Sequence, residues 1–354
     1  MKLQQKIKVL SQLGDYLQDF INGKQSLSDN DLFQEFYDKS SHAIAYAERK
    51  NPWFTHKNIM HALSYWAHEL NQDKLNAWLA NYQIPENTNS KKVGVIMAGN
   101  IPLVGFHDLL CVFLSGHQFN GKLSSDDQIL IPHLIEMLAA IAPVIKNDIL
   151  FSEQFLKNMD AYIGTGSNNS ARYFEYYFRD KPHIIRSNRN GVAVLTGNET
   201  PQDFEKLGED IFRYFGLGCR NVSKLYVPKG YNFNAFFEGI YPFFEMVNHN
   251  KYGNNYEYNR TVYLMGNEKL LDNNFLIIKE DKTLSSPIAV LFYEYYNDIE
   301  SLNNHFKENA HSLQCVISND VQINHAVPFG NSQKPALHEY ADGFDTMRFL
   351  LDIN

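Results

Sequence analysis

Apolar residues recur every three or four positions along the first part of the chain, which is the spacing of one face of an α-helix. Two runs show this period: Ile7, Leu10, Leu13 and Leu17, and then Ile59, Leu63, Trp66 and Leu70. Thr55 and Asn58 precede the second run and suit the beginning of a helix. Residues 1 to 88 are therefore predicted to be helical.

From Lys91 the pattern changes to short buried strands that alternate with helices. Val93–Met97 predicts the first strand, and a helical pattern follows through Leu114. The series continues with strands at 118–122 and 160–163, and with helices at 128–142 and from 168. A second series has a strand at 192–195, a helix at 202–214, and strands at 224–227, 275–279, 288–293 and 314–317. Such alternation predicts two α/β halves, each a parallel sheet with helices on both faces.

Size and composition narrow the class of protein. A chain of 354 residues exceeds the size of a typical single core, so two domains are expected. The net charge of −8 comes without a basic block, which argues against nucleic-acid binding. No apolar run approaches the length of a membrane span. The 13 histidines form no metal-ligand pattern, so we expect no metal.

The cysteines point to one candidate nucleophile. Cys219 lies in Tyr214-Phe-Gly-Leu-Gly-Cys-Arg-Asn221, where glycines expose the backbone around the thiol and Arg220 adds positive charge. A reactive thiolate needs such a partly exposed, electropositive place. Cys111 and Cys315 lie in apolar runs and are expected to be buried small hydrophobes. The three cysteines do not have the spacing of a metal site, and the first residues lack the basic stretch followed by an apolar one that is typical of a secretory signal. Both observations favour the cytoplasm.

Polar residues follow the predicted strands of the first series. Asn100 follows the first strand, Lys122 ends the second, and Gly164-Thr-Gly-Ser167 joins the third to a helix whose N-terminus favours a phosphate. Each also has an ordinary structural interpretation, because asparagine forms turns, surface lysines are common, and serine caps helices. Neither a GxGxxG fingerprint nor a P-loop is present.

Taken in order, these segments resemble the aldehyde dehydrogenase superfamily, and most closely its LuxC-like fatty acid reductases, also called acyl-CoA reductases. Gly99–Pro102 is similar to the family's asparagine-proline motif, Gly121–Ser125 to Lys-Pro-Ser, and Gly164–Ser167 to Phe-Thr-Gly-Ser. The resemblance continues in the later part of the chain through Phe215–Arg220, the nucleophile motif, and through Ser285–Val290 and Val327–Gly330. It covers residues 91 to 342.

The resemblance implies a fold, domains and site roles. The fold would be α/β and aldehyde-dehydrogenase-like, with two Rossmann-like α/β/α domains and an N-terminal helical region. Residues 1–189 would bind the cofactor, with 1–88 helical and 89–189 Rossmann-like; 190–331 would carry the catalytic thiol, and 332–354 would form a C-terminal tail. Cys219 would be the nucleophile, Asn100 the oxyanion amide aided by the Cys219 N–H, and His338 a proton donor. Cofactor contacts would come from Lys122, Ser124, Thr165, Gly166, Ser167 and Pro287.

Two departures from the family pattern bear on the reaction. Hydrolytic relatives carry a water-activating glutamate upstream of the cysteine, whereas His183–Asn190 contains no acid. A second family glutamate is replaced by Thr283, which removes one expected contact to the nicotinamide ribose. Without a base for water, an acyl-cysteine would persist until it accepts hydride or passes to another thiol.

These observations predict reduction of a long-chain acyl thioester to the aldehyde through an S-acyl-cysteine. The resemblance favours NADPH over NADH, and acyl-CoA or an acylated carrier or synthetase protein as the donor. It also implies a homo-oligomer. Two alternatives stay open: a cofactor-independent thiol acyltransferase or thioesterase that pairs Cys219 with a histidine, and a non-catalytic nucleotide-binding relative.

Overall fold

The computed structural model describes residues 1–23, 31–86 and 89–353. The chain divides into two compact units, one of residues 1–187 with 336–354 and one of residues 188–335. The first unit thus includes both the N-terminal helices and the C-terminal segment. The assignment of cofactor binding to residues 1–189 and of catalysis to 190–331 stays a prediction.

The N-terminal region of the first unit is helical, as the apolar period predicts. Its helices are α1 (Leu3–Asn22), α2 (Asp31–Lys50), α3 (His56–Glu69) and α4 (Gln72–Leu79). Thr55 caps α3 by accepting a hydrogen bond from the Asn58 N–H at 3.3 Å, which confirms the predicted start. The apolar faces of these helices join the same core as the helices of the sheet that follows.

A five-stranded parallel sheet with its helices follows in the first unit. Its elements in chain order are β1 (Lys92–Ile96), α5 (Phe106–Ser115), β2 (Gln118–Lys122), α6 (Leu130–Ile141), β3 (Ile149–Phe151), β4 (Ala161–Thr165), α7 (Asn168–Phe178) and β5 (His183–Arg186). The strand order is β3-β2-β1-β4-β5. The connections reverse direction between β1 and β4, which is where doubly wound sheets bind ligands.

The second unit contains a six-stranded sheet in the order β11-β6-β7-β10-β9-β8. Its elements are β6 (Asn190–Val194), α8 (Pro201–Phe212), β7 (Val222–Pro228), α9 (Asn234–Gly239), α10 (Asn250–Met265), β8 (Leu270–Asp272), β9 (Ile277–Glu280), β10 (Val290–Tyr296), α11 (Ile299–Glu308) and β11 (Leu313–Ile317). All pairings are parallel except that of β8 with β9. The two predicted α/β halves are therefore confirmed, with one antiparallel edge strand that the sequence pattern did not predict.

The C-terminal segment is anchored to the first unit by buried polar contacts. Its helix α12 (Thr346–Leu351) packs against α5. Arg186 donates to the Asp108 carboxylate at 2.6 Å and to the Thr346 hydroxyl at 2.8 Å, so one buried guanidinium joins β5, α5 and α12. The Trp78 indole N–H donates to the Tyr340 hydroxyl at 2.8 Å. The residues predicted as a tail thus contribute to a folded core from 336 onward.

Candidate active site

In the first unit, the predicted oxyanion and cofactor residues lie at the carboxyl ends of neighbouring strands. Asn100 is exposed in the loop after β1, and Lys122 is the last residue of β2, beside it in the sheet. The two loops touch at Gly99, where an added Cβ would lie 2.6 Å from the Ser124 Cβ. Only glycine allows this approach. The structure therefore brings Asn100 and Ser124 onto adjoining loops at one sheet edge.

A buried carboxylate connects these two loops. Asp127 is 4% exposed, and its Oδ2 accepts the Leu103 N–H at 3.0 Å, while its Oδ1 has no hydrogen-bond partner. Burial raises the pKa of Asp127 to about 6, although the backbone N–H groups of Leu103 and Leu130 act to lower it. Asp127 thus holds the segment that follows Asn100, at a position where Leu103 has a φ of 60°.

The turn after β4 provides part of the expected phosphate site. Ser167 is the N-cap of α7, and its hydroxyl accepts the Ser170 N–H at 3.2 Å. The Gly166 N–H donates to the Arg186 carbonyl at 3.2 Å, so it belongs to the sheet. Thr165 is the last residue of β4 and pairs with Arg186. Any anion at this turn would be bound mainly by the exposed start of α7 rather than by the Gly166 N–H.

In the second unit, Cys219 lies on a turn directly before β7, and it is exposed. The other thiols differ. Cys111 is buried in α5, and desolvation raises the pKa of its thiol well above the usual range. Cys315 was expected to be buried, but it is only partly so, because β11 is an edge strand of the sheet; its Sγ lies 3.7 Å from the Arg220 carbonyl oxygen. The exposed thiol is therefore the one that the sequence selected.

The backbone before Cys219 adopts an uncommon conformation. Tyr214, Phe215 and Gly216 have φ values of 55°, 58° and 76°, so three consecutive residues are left-handed after α8 ends. For the two aromatic residues this conformation is costly, and it persists only where surrounding contacts fix it. The Phe215 ring packs on the His249 ring with centroids 4.3 Å apart. The conformation of the segment that leads into the Cys219 turn is thus set by packing and not by local preference.

A second sequence landmark lies against the same turn. Asp210, at 1% exposure, accepts the Gly330 N–H at 2.6 Å and the Ser332 N–H at 2.9 Å. Burial raises the pKa of this carboxyl. Arg220, next to Cys219, donates from Nε to the Ser332 carbonyl. Val327–Gly330, one of the segments that carry the family resemblance, is therefore fixed beside the Cys219 turn within the second unit.

The loop predicted to approach the nicotinamide precedes β10. Pro287 is exposed, and its carbonyl accepts the Val290 N–H at 3.1 Å. Thr283 donates to the Asp281 carboxylate from its N–H at 2.9 Å and from its hydroxyl at 2.8 Å. The Lys279 ammonium and the Thr283 N–H lower the pKa of Asp281 to about 2. A carboxylate is thus present two residues before the expected position.

His338 lies in the C-terminal segment of the first unit and is exposed. The neighbouring Leu337 carbonyl forms a hydrogen bond with the His107 ring at 2.9 Å, which fixes the backbone at this point. The proton-donor role of His338 stays a prediction.

A cavity of about 250 Å³ lies at the other end of the second sheet. It is lined by residues that follow β6 and β7, among them Glu199, Tyr231 and Asn232. Cys219 precedes the seven-residue strand β7, so the strand places the thiol about 20 Å from this cavity. The cavity is therefore separate from the thiol chemistry.

Within the described ranges, no group of three or more His, Cys, Asp or Glu side chains is arranged to hold a metal ion. No helix in those ranges has both the length and the apolar character needed to cross a bilayer.

No protein-family model matches the sequence, and no curated protein does. Solved structures do resemble it. Aldehyde dehydrogenase 21 from Physcomitrella patens, solved with its reaction product succinate, superimposes with a TM-score of 0.71 at 12% identity over 100% of this chain and 84% of that one. An NAD-dependent benzaldehyde dehydrogenase from Corynebacterium glutamicum gives 0.61 at 11% identity, over 96% and 84% of the two chains.

A third structure, the indole-3-acetaldehyde dehydrogenase of P. syringae in complex with NAD⁺, gives a TM-score of 0.61 at 12% identity over 92% of this chain and 74% of that one. These likenesses establish the architecture. The chain has the aldehyde dehydrogenase fold, as the order of its motifs predicted.

Sequence reasoning missed three buried residues near the predicted site residues: Asp127 in the first unit, and Asp210 and Asn221 in the second. Each side chain binds backbone groups: Asp127 and Asp210 bind those of another loop, and Asn221 binds those of its own turn and of the end of α8. Asp127 stands beside Asp126, and Asn221 beside Arg220, so both look like ordinary loop residues in the sequence. Asn221 alone carried a signal, because it lies two residues after the predicted nucleophile and such turns need side-chain acceptors.

Proposed function

We propose that the protein reduces a long-chain acyl thioester to the fatty aldehyde with NADPH. The proposed reaction is acyl-S-CoA + NADPH + H⁺ → aldehyde + CoA-SH + NADP⁺. The observation that carries the proposal is the exposed thiol of Cys219, held on a turn fixed by the contacts of Asp210, Arg220 and Asn221. The order of the sequence motifs and the aldehyde dehydrogenase fold support the nicotinamide chemistry.

In this proposal the Cys219 thiolate attacks the acyl carbonyl, and the thiol of the donor leaves with a proton. Asn100 donates its side-chain amide to the oxyanion, and the Cys219 N–H is the second donor. The loss of one such donor typically slows acyl transfer about 100-fold or more. Asn100→Ala should therefore lower turnover with little change in cofactor affinity.

The cofactor would supply the hydride that reduces the acyl group. The residues present suit a dinucleotide: the connections of the sheet reverse direction between β1 and β4, the exposed start of α7 follows β4, and Lys122 ends β2, which pairs with β1 on its other side. Lys122, Ser124 and Ser167 would hold the ribose and phosphates, and Pro287 would approach the nicotinamide. Asp281 is a carboxylate near the position of the missing family glutamate, although it is already bound to Lys279 and Thr283.

Persistence of the acyl-cysteine follows from the segment His183–Asn190. This segment contains no acid, and its Arg186 is committed to a buried ion pair with Asp108. Water would therefore lack a base there, so hydride transfer would be the productive exit. An acyl-CoA, or an acylated carrier or synthetase protein, is the proposed donor, and we expect a homo-oligomer in the cytoplasm.

The test is cofactor oxidation measured across acyl-CoA chain lengths, with NADPH and NADH in parallel. Oxidation with long acyl chains, lost in Cys219→Ala and retained in Cys111→Ala, is expected. Release of free acid without cofactor would instead indicate a thioesterase or acyltransferase. Binding of nucleotide without turnover on any chain length would indicate a non-catalytic relative.

A further inference from the structure

Asn221 is buried next to the exposed thiol, and its side chain is fully used in hydrogen bonds. It is 3% exposed. Its Oδ1 accepts the Gly218 N–H at 2.8 Å, while its Nδ2 donates to the carbonyls of Asp210 at 3.0 Å and Arg213 at 2.9 Å. One amide therefore joins Gly218, directly before the thiol, to the end of α8.

The main chain of Asn221 closes the same turn. Its N–H donates to the Gly218 carbonyl at 3.0 Å, so Gly218 and Asn221 are the first and last residues of a four-residue turn with Cys219 in the second position. Both polar backbone groups of Gly218 are bound to this one residue. The conformation of Cys219 thus depends on where Asn221 lies.

The position of Asn221 is itself fixed from two directions. The backbone carbonyl of Asp210 accepts a hydrogen bond from the Asn221 amide, and the Asp210 carboxylate accepts those of the Gly330 and Ser332 N–H groups. On the other side, the Asn221 carbonyl oxygen lies so close to Gly191 of β6 that a Cβ added to Gly191 would be only 2.6 Å from it. The backbone of Asn221 is therefore held at the place from which its amide reaches Gly218.

We propose that Asn221 is a positioning residue for the reactive thiol: its amide holds the Gly218–Asn221 turn in the one conformation that presents Cys219 for attack. This rests on the proposed role of Cys219 as the nucleophile. Asn221 would not touch the substrate. It acts through the Gly218 N–H and the carbonyls at the end of α8.

The test compares Asn221→Ala with Asn259→Ala. Asn259 is a matched control because it is also a buried asparagine of the second unit, with Nδ2 3.0 Å from the Ile288 carbonyl, but it has no hydrogen bond to the thiol's turn. The readout is the rate at which iodoacetamide modifies Cys219, followed by peptide mass spectrometry across pH in the absence of substrate and cofactor. Circular dichroism confirms that each variant is folded.

In Asn221→Ala the Gly218 N–H loses its acceptor and the turn is no longer held in one conformation, so the rate at which iodoacetamide alkylates Cys219 should fall several-fold below the wild-type rate across the pH range. Turnover should fall about 10-fold or more, with the KM for NADPH unchanged. Asn259→Ala should keep the wild-type alkylation profile.

Superimposable alkylation profiles for folded Asn221→Ala and wild type would overturn the proposal, as would the same shift in Asn259→Ala. If Asn221→Ala does not fold, Asn221→Ser supplies the measurement, and a wild-type profile there has the same contrary meaning. Alkylation needs no turnover. A wild-type enzyme that oxidises no NADPH would thus contradict the proposed function while leaving this comparison decisive.

Discussion

Asp127→Asn should remove a pH-dependent destabilisation of the first unit. In the folded chain burial raises the pKa of Asp127 from 3.8 to about 6. The folded chain therefore holds this proton more tightly than the unfolded chain does. This tighter binding of the proton stabilises the folded chain. Its contribution to the unfolding free energy is fully present below about pH 4 and is lost as the pH rises through about 6.

The size of the effect follows from the difference between the two pKa values. A difference of about 2 units corresponds to about 3 kcal/mol of unfolding free energy over the whole window. Asparagine does not titrate, and its amide oxygen can still accept the Leu103 N–H. The stability of wild type relative to Asp127→Asn should therefore fall by about 2 kcal/mol between about pH 4.5 and pH 7.5.

Urea unfolding followed by tryptophan fluorescence measures this change, because all three tryptophans, Trp53, Trp66 and Trp78, belong to the first unit. Asp126→Asn is the matched control, since Asp126 is the exposed neighbour and should give the wild-type pH dependence. If the difference in unfolding free energy between wild type and Asp127→Asn stays constant within about 0.5 kcal/mol from about pH 4.5 to pH 7.5, the reasoning is refuted.

Two further substitutions test the packing of each unit. Arg186→Met should destabilise the first unit by about 3 to 5 kcal/mol, because it leaves the buried Asp108 carboxylate without its partner; a shift in urea unfolding below about 1 kcal/mol would contradict this. Gly191→Ala should destabilise the second unit by about 1 to 3 kcal/mol, because its Cβ would lie 2.8 Å from the Arg220 carbonyl oxygen. Hydrogen exchange in β7 should then become faster than in wild type, and unchanged exchange would argue against a tight contact at Gly191.

Much of the fold could be predicted from the sequence because its central strands are short buried runs between clear turns. The predicted strand at 118–122 coincides with β2, and the helix predicted from 168 begins there as α7. The missed strands β3, β5 and β8 have three or four residues and lie at or near sheet edges. Such segments carry too few residues for an apolar period to be visible.

The candidate site was predictable only at the level of its exposed residues. Cys219 could be chosen because glycines flank it, and the structure shows it exposed, unlike Cys111. Asp210 could not be chosen, since its carboxylate binds backbone groups that are distant in the chain, such as the Ser332 N–H. Asn221 lies two residues after Cys219, but the hydrogen bonds of its amide to the end of α8 are not visible in the sequence. Their roles depend on tertiary contacts, which no local pattern encodes.

The most direct test of the central claim is the intact mass of the protein after incubation with palmitoyl-CoA and no cofactor. We expect the mass to increase by one palmitoyl group on Cys219, to stay increased in buffer, and to return to its original value with release of palmitaldehyde when NADPH is added. Cys219→Ala should show no increase. Turnover without any adduct, or loss of the adduct as free acid before NADPH is added, would contradict the account.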